Sequence, residues 1–423
     1  YLLPVDGAQP RAITGTKAPA SDRDPAISPD GRRLAYFRCG NCCWGECDVM
    51  TVELNSSVVS NGPPRRLTSI ATQMEGLAWS RDSRTVLFGV AGLVHYLWRI
   101  GIDGRMPAER VELAGLGARL PATSRSHDRV VFGRAISDSD VYRVDATGPP
   151  RAIGVSSFYD GRPVFSPDGQ HVAFCSTRSG ETEEIWMAAA DGSGASQLTR
   201  NMGRAQCSVS WAPHGPTIAF WSEGQDGRWH IWTIDIDGGN LRQITTGAEA
   251  HYAPEWSRDG AWIYFGKQGV SGSNIWRIPA RGGRQQQVTF DEAYKGVETA
   301  DGKHLVYQRA PDRAGSPVLL VPLAGGSSRQ LVTCVYGFSV GSEGVYYYPC
   351  RPNGAPVPLA VDRSLDVRLI DPGTGHDQLI ATLPDVDYGG MFFGPRFAPD
   401  GKTIVYGKLV NHGEDLMMIE NFR

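Results

Sequence analysis

A chain of 423 residues with a formal net charge of −3 lacks the strongly positive surface that attracts a nucleic-acid backbone. Hydrophobic residues make up 41% of the chain and charged residues 21%, which is enough apolar material for a packed core. No stretch approaches the roughly 18 consecutive apolar residues that a membrane-spanning helix needs. The composition therefore excludes nucleic acid as a partner of this chain and a membrane span within it.

The start of the chain and its cysteines bear on the cellular compartment. The sequence begins at Tyr1, without an initiator Met and without a charged-then-apolar signal segment. We expect a mature piece of a longer product, either free-standing and exported or excised from a membrane-anchored precursor. Eight cysteines, an even number, indicate an oxidising compartment. The expected localisation is therefore extracytoplasmic, either periplasmic or secreted.

One unit of four short strands recurs along the whole chain. Each unit opens with a strand and a polar turn of the SPDG type, in which a glycine adopts a positive φ. The openings are PAISPDG (25–31), LAWSRDS (77–83), PATSRSHD (121–128), PVFSPDG (163–169), SWAPHG (210–215), PEWSRDG (254–260), VETADG (297–302), GFSVGSEG (337–344) and PRFAPDG (395–401). Third strands recur as LWRI (97–100), VYRV (141–144), IWMA (185–188), IWTI (231–234) and IWRI (275–278), and fourth strands as RRLT (65–68), SQLT (196–199), RQIT (242–245) and RQLV (329–332).

The repeat spacing predicts an all-β fold, a β-propeller of eight or nine four-stranded blades forming a single body over residues 1–423. One sheet cannot bury both of its faces, so neighbouring sheets must stack. Trp98, Trp186, Trp232 and Trp276 are expected between blades. Residues 1–15 are expected to close the last blade, through RAIT at 11–14. The predicted units lie near 22–69, 74–113, 117–155, 160–200, 206–246, 251–290, 294–333, 335–384 and 388–423.

The SPDG-type turns followed by Ile-Trp strands resemble the TolB-like, or PD40, branch of WD40-like propellers. The order IWMAAADGSGASQLT, PEWSRDGAWIYF, IWRIPARGGRQQQVT and DLMMIENFR is similar to the C-terminal extracytoplasmic propeller of CadC-like transmembrane winged-helix regulators. This sequence contains neither a winged helix nor a membrane helix. The resemblance implies ligand or protein recognition and supplies no catalytic residues.

The cysteines divide into three groups. Cys39, Cys42, Cys43 and Cys47 crowd one loop, which is either stapled by disulfides or holds zinc or copper(I). The disulfide interpretation is favoured because the paired CxxC layout of a zinc site is missing. Cys334 and Cys350 are equally distant from a hairpin centre, which places them opposite each other and predicts a disulfide between them. Cys175 and Cys207 are either buried thiols or a further bridge.

Two other patterns are weak signals for catalysis. GFSVG at 337–341 matches a nucleophile elbow, but Ser339 falls inside a strand and no helix follows, so the strand interpretation is favoured. The nine histidines show no paired metal spacing. A metal assembled across blades at the channel mouth remains an alternative, with His251 as its first candidate. No resident cofactor is expected.

Residues just before each first strand and just after each second strand are predicted to surround one mouth of the central channel. Their mixture of charge and aromatic groups favours a protein, peptide or glycan as the partner. The predicted mouth consists of Asp22, Arg23, Glu75, Tyr159, Asp160, Arg204, Gln206, His251, Tyr252, Tyr294 and Lys295.

The resulting prediction is a non-enzymatic ligand- or protein-binding propeller, the sensor or interaction domain of a bacterial envelope or signalling protein. One alternative is a propeller polysaccharide lyase or glycoside hydrolase with its site at the channel mouth. A second alternative is a TolB-like envelope scaffold.

Overall fold

The computed structural model describes residues 3, 9–17, 20–40, 47–70, 73–90, 95–145, 148–180, 182–203, 205–224, 228–269, 272–309, 315–350, 364–387 and 393–422. The chain divides into two compact units, Tyr1–Ile136 with His412–Arg423 and Ser137–Asn411. The only helix in the described ranges is a single 3-10 turn, Glu112–Ala114, and no described helix is long and apolar enough to cross a bilayer. The predicted all-β class is confirmed.

Unit 1 contains two complete four-stranded antiparallel sheets and the beginning of a third. The first sheet packs on the second through Phe37, Val49, Trp79 and Phe88. Their strands are β1 (Ser21–Ile27), β2 (Arg33–Cys39), β3 (Cys47–Glu53), β4 (Arg65–Arg66), β5 (Met74–Trp79), β6 (Thr85–Val90), β7 (Tyr96–Gly101), β8 (Glu109–Arg110) and β9 (Ala118–Thr123), followed by β10 (Arg129–Val144).

Unit 2 contains six sheets, which we call A to F. Sheet A has β12 (Asp160–Phe165), β13 (His171–Ser176), β14 (Glu184–Ala189) and β15 (Ser196–Gln197); sheet B has β16 (Gln206–Trp211), β17 (Thr217–Glu223), β18 (Trp229–Asp235) and β19 (Arg242–Gln243); sheet C has β20 (His251–Trp256), β21 (Trp262–Gly269), β22 (Gly272–Pro279) and β23 (Gln286–Gln287). Sheet D has β24 (Lys295–Glu298), β25 (His304–Gln308), β26 (Ser316–Pro322) and the start of β27 (Arg329–Val340), whose end continues into sheet E with β28 (Val345–Pro349), β29 (Leu365–Ile370) and β30 (Asp377–Leu383). Sheet F has β31 (Arg396–Phe397), the start of β32 (Ile404–Glu420), the end of β10 and β11 (Arg151–Gly154).

The six sheets of unit 2 form a closed series, because sheet F packs against sheet A. Val141 and Val405 of sheet F share a buried cluster with Phe165 and Phe174 of sheet A. On the other side of sheet F, Tyr406 shares a cluster with strands of sheet E. The first strand of each sheet therefore faces a common axis, as in a propeller. Trp98, Trp186, Trp232 and Trp276 are partly buried against clusters between sheets, as predicted.

The repeats near 117–155 and 388–423 share one five-stranded sheet instead of forming separate sheets. β10 continues as one strand through residues 129–144, because no glycine, proline or asparagine interrupts 134–144 to turn the chain. The last repeat therefore takes its remaining strands from β10 and β11, and Arg11–Thr14 form no strand in the described part of the chain. The described sheets are consistent with the predicted number of repeats, and a single body over 1–423 stays a prediction.

The SPDG-type turns have a recurring hydrogen-bond pattern. In sheet C, Ser257 Oγ donates to Asp259 Oδ1 at 2.6 Å, and the same oxygen accepts from the Ala261 N–H at 2.9 Å. Gly260 has φ 70°, a conformation that costs glycine little. The hydrogen bond from Ser257 comes first among the causes that lower the pKa of Asp259. The same bond to an aspartate two residues on is made by Ser28, Ser80, Ser166 and Thr299, so it fixes the tight turn between first and second strands in these repeats.

In the repeats whose fourth-strand motif ends in threonine, that threonine closes the sheet. Thr245 Oγ1 accepts from the buried Ile231 N–H at 2.8 Å, and Thr199 and Thr289 do the same for Ile185 and Ile275. We expect Thr245→Val to lower the free energy of unfolding by about 2 kcal/mol, since it leaves a buried N–H without an acceptor. Urea denaturation would measure this loss. Thr246→Val, at the exposed neighbouring position, is the control and should change stability by less than about 0.5 kcal/mol; equal losses would contradict the prediction.

Candidate functional site

The predicted mouth residues are distributed over both units. Asp22, Arg23 and Glu75 belong to unit 1; Tyr159, Asp160, Gln206, His251, Tyr252, Tyr294 and Lys295 belong to unit 2; and Arg204 lies outside the described residues. In unit 1, Asp22 pairs with Arg38 at 2.8 Å, Arg23 donates to the Met74 carbonyl, and Glu75 contacts His95 at 2.7 Å and Arg119 at 3.2 Å. All three carry local ion pairs or hydrogen bonds, and their predicted binding role stays a prediction.

In unit 2, the predicted residues begin the first strands of four successive sheets. Asp160, Gln206, His251 and Lys295 are 0%, 0%, 0% and 1% exposed. First strands lie innermost, so side chains at their starts pack against neighbouring sheets instead of facing solvent. These positions form a buried polar interior at one end of the sheets.

Three charged residues form what we call the axial cluster: Glu255, Lys295 and Arg396. The Glu255 carboxylate lies 3.4 Å from Lys295 Nζ and 3.3 Å from Arg396, and Ser210 Oγ donates to it at 3.1 Å. Burial alone would raise the pKa of Glu255, but the two cations and Ser210 together lower it. These contacts tie sheets B, C, D and F together.

Lys295 is held away from water by backbone acceptors. Its Nζ donates to the carbonyls of Phe338 at 2.9 Å and Phe393 at 3.0 Å. Burial and the positive charge of Arg396 lower the pKa of Lys295 to about 7, in spite of the attraction of Glu255. Lys295 is therefore a buried amine that exchanges its proton near neutral pH.

Arg162 and Glu183 form a second buried pair. Arg162 lies at a β-bulge with φ 51°, the same irregularity that recurs in other first strands and re-aims a side chain. Its guanidinium is 3.6 Å from the Glu183 carboxylate. Burial raises the pKa of Glu183 to about 7, with Arg162 opposing and Asp387 adding to the shift. Tyr159 donates to Asp387 at 3.0 Å.

The cysteines of the described residues form three disulfides: Cys39–Cys47, Cys175–Cys207 and the predicted Cys334–Cys350, with Cα–Cα distances of 4.0, 5.6 and 5.5 Å. Cys42 and Cys43 lie outside the described residues. Cys175–Cys207 joins sheets A and B, and its sulfurs lie with a Glu183 oxygen in a group compact enough for a metal. Cysteine binds metals as the free thiolate, and in Cys175 and Cys207 both sulfurs are used in the disulfide. The disulfide form of this group is therefore unsuited to binding a metal. His251, the predicted metal candidate, has its Nδ1 3.4 Å from His230 Nδ1.

Ser339 lies inside β27, opposite Tyr346, as the strand interpretation predicts. Its hydroxyl donates to the Pro395 carbonyl. The described residues that follow it form β28 instead of a helix, so the geometry of a nucleophile elbow is missing at this serine.

Aromatic side chains gather at the end of the sheets where first strands begin. Tyr252 and Tyr294 stack with ring centroids 4.7 Å apart. Trp229, opposite Glu223 at the same end of sheet B, stacks on Trp221 at 4.8 Å and is 43% exposed. Aromatic groups with one exposed face are typical of protein interfaces.

Sequence reasoning did not identify Glu255, Arg396, Arg162, Glu183 or Trp229. The sequence does contain a pattern that points to Glu255 and Arg396. They occupy the same register position as Ala26, Ala78 and Val164 in other repeats, opposite the second strand. Two opposite charges at a position that holds alanine, valine or serine in these other repeats predict an interior ion pair, once the repeats are aligned. Glu183 follows a loop and has no such signal.

Comparison with known proteins supports the fold. Residues 121–248 match the family model described as the TolB beta propeller domain, PD40. The uncharacterized protein Atu1656 of Agrobacterium fabrum is 26% identical over 162 residues, 37% of this chain and 54% of that protein. Tricorn protease homolog 1 of Streptomyces coelicolor is 26% identical over 264 residues, 58% of this chain and 22% of that protein. The chain thus spans about half the length, or less, of these relatives.

Solved structures similar to this chain include TolB from Acinetobacter baumannii, at 12% identity and a TM-score of 0.43, with 89% of this chain and 79% of that chain covered. They also include a putative TolB from Agrobacterium tumefaciens, at 18% identity and a TM-score of 0.35, with 82% and 94% covered. An oligogalacturonate lyase in complex with manganese has 14% identity and a TM-score of 0.39, with 88% and 98% covered. The four-stranded sheets and the match of residues 121–248 to the TolB model support a β-propeller fold, which by itself assigns no activity.

Proposed function

We propose that this chain is a non-enzymatic propeller that binds a protein or peptide, and that it serves as the sensor or interaction domain of a bacterial envelope or signalling protein. The observation that carries the proposal is the set of aromatic side chains at the end of unit 2 where first strands begin. Trp229 presents an exposed face there, and the stacked Tyr252 and Tyr294 lie at the same strand ends. Rigid aromatic groups give large contact area at low entropy cost.

The ionisable groups of unit 2 favour binding over catalysis. Glu255 is held by two cations and a serine, and Lys295 Nζ by two carbonyls. Glu183 is buried against Arg162. A general acid or base must reach a substrate proton, and these side chains are committed to interior contacts. A polysaccharide lyase or glycoside hydrolase remains the competing function, and a TolB-like scaffold is a binding function tested by the same experiment.

The proposed compartment is outside the cytoplasm. Three disulfides among the described residues fit an oxidising environment, where such bonds persist. Descent from a CadC-like membrane-anchored regulator is part of the proposal and rests on the sequence resemblance. The sequence upstream of Tyr1 would test it directly, through the presence of a winged helix and a membrane span.

A peptide selection tests the binding proposal. Random peptides displayed on phage would be selected on the purified chain, and the affinity of a selected peptide measured by calorimetry. Trp229→Ala is expected to weaken binding about 30-fold, the effect of losing one interface hot spot. Trp262→Ala is the matched control, because Trp262 begins β21 at the opposite end of sheet C and contacts Arg277. The affinity of the Trp262→Ala variant for the selected peptide should stay within about twofold of the wild-type value.

The same purified chain would be incubated with acidic polysaccharides, with and without manganese. Release of unsaturated sugar products, together with failure to select any peptide, would overturn the binding proposal in favour of a lyase. If Trp229→Ala left the affinity for a selected peptide unchanged, the peptide would bind at another surface. That result would contradict the proposed role of the aromatic groups.

A further inference from the structure

A small cavity lies beside the axial cluster in unit 2, between sheets A, B, E and F. Its polar side chains are Arg162, Ser208, Tyr348, Arg396 and Tyr406, and the other lining residues are valine, proline, phenylalanine and glycine. The space admits about one group of the size of a water molecule. The cavity is therefore too small for a sugar, a peptide or a phosphate, and it suits a single small ion.

The polar groups of this cavity are hydrogen-bond donors. The Nε atoms of Arg162 and Arg396 and the hydroxyl of Tyr406 are buried and have no hydrogen-bond partner among the described residues, and Tyr406 is only 3% exposed. Ser208 Oγ accepts from Trp221 Nε1 at 2.7 Å, which leaves its own hydrogen free to donate. No carboxylate is among the lining residues that the structure describes. An occupant must accept several hydrogen bonds.

The charge of the lining side chains distinguishes between a cation, a water molecule and an anion as the occupant of the cavity. The two guanidiniums repel a cation, and their carboxylate partners, Glu183 and Glu255, are not part of the cavity lining. A water molecule has two hydrogens to donate, for which the lining side chains offer few acceptors. A monatomic anion accepts from every side and is attracted by two guanidiniums whose paired carboxylates lie outside the lining, and the apolar remainder of the lining excludes competing water.

We propose that this cavity binds one chloride ion, held by the Nε–H groups of Arg162 and Arg396 and by the hydroxyl of Tyr406. Strands β12, β31 and β32 supply these three groups, so the ion stabilises the contact between sheets A and F that closes unit 2. The site is separate from the aromatic side chains of the proposed function, Trp229, Tyr252 and Tyr294, and its existence does not depend on that function.

The test compares thermal unfolding of the whole chain in sodium chloride and in sodium gluconate at equal ionic strength. Chloride is expected to raise the melting temperature along a saturating curve, because a ligand that binds only the folded state stabilises it by mass action. Tyr406→Phe keeps the ring, removes one donor and should shift the chloride midpoint at least about tenfold upward. Tyr346→Phe removes a hydroxyl that contacts Glu343 at 3.5 Å, away from the cavity, and should leave the chloride response unchanged.

Diffraction from crystals grown in sodium bromide locates the ion directly. An anomalous peak between Arg162, Arg396 and Tyr406 supports the proposal. Equal melting curves in chloride and gluconate together with the absence of that peak would overturn it, leaving a water molecule in the cavity. A melting response to sodium acetate that matches the response to chloride would show a general salt effect, because acetate is too large for the cavity, and would also overturn the chloride assignment.

Discussion

Replacing Glu255 by alanine is expected to lower the free energy of unfolding by about 4 kcal/mol, because it leaves two buried cations without their anion. The Glu255 side chain lies between Lys295 Nζ at 3.4 Å and Arg396 at 3.3 Å. Urea-induced unfolding followed by tryptophan fluorescence at pH 6 measures the loss. The pH matters, since Lys295 has a pKa of about 7 and is charged below it. At pH 9 the loss should be smaller, because Lys295 in the variant no longer carries a proton.

The matched control is Glu249→Ala. This carboxylate lies 3.7 Å from Lys267 Nζ and its side chain is 43% exposed, so its ion pair is solvated and contributes less than about 1 kcal/mol. Glu255→Gln keeps the size of the side chain and an acceptor for Ser210, and isolates the effect of the charge. If Glu255→Ala and Glu255→Gln both unfolded at the wild-type urea concentration, the axial cluster would contribute no net stability.

The second large effect is a pH dependence from Glu183. Its folded-state pKa is raised to about 7 from the ordinary value of 4.5, with burial as the main cause. Between pH 4.5 and 7 the folded protein keeps this proton and the unfolded chain has lost it. The unfolded state therefore binds fewer protons, and the stability that Glu183 contributes falls as the pH rises through this window. The total fall is about 3 kcal/mol.

Glu183→Gln removes this titration. The difference in unfolding free energy between the variant and the wild type should therefore grow in favour of the variant by about 3 kcal/mol from pH 4.5 to pH 7.5. Any constant cost of placing an amide beside Arg162 cancels in that slope. Thr245→Val, a substitution without an ionisable group, should give a curve parallel to the wild type. Parallel curves for Glu183→Gln would show that the Glu183 carboxyl titrates normally in the folded protein.

Lys295 acts in a separate window and with the opposite sign. Its folded-state pKa of about 7 lies below the ordinary value of 10.5, so the unfolded chain binds the extra proton between these values. Stability from this group therefore rises with pH from about 7 to 10.5. The unfolding measurements on Glu183→Gln should stop near pH 7.5, so that the titration of Lys295 does not overlap with that of Glu183.

Local patterns in the sequence were sufficient to predict most strands and turns. The Ser-x-Asp-Gly turns and the closing threonines act through hydrogen bonds between residues in the same repeat. The local structure of a repeat can therefore be predicted from the sequence of that repeat alone. The Cys334–Cys350 disulfide followed in the same way, because a hairpin fixes which residues face each other. The break in the pattern was β10, where two strand segments that the repeat suggests are separate run on as one.

The candidate site was predicted only in outline. The sequence placed Tyr159, Asp160, His251 and Lys295 just before first strands, whereas in the structure the first strands begin earlier, at Asp160, His251 and Lys295. Their burial depends on sheets that are distant along the chain. Lys295 is buried by Phe338 and Phe393, which are 43 and 98 residues away. No local pattern encodes such a contact.

The sequence by itself determined the all-β class, the repeat and the turn chemistry, because these depend on hydrogen bonds and hydrophobic periodicity over fewer than about 50 residues. Only the tertiary structure decided that sheet F closes on sheet A, that Glu255 meets Lys295 and Arg396, and that Arg162 and Arg396 share a cavity. The physical reason is that ring closure brings first strands from separate repeats to one axis. There, long-range packing sets the burial of each charge, and burial determines its partner and its pKa.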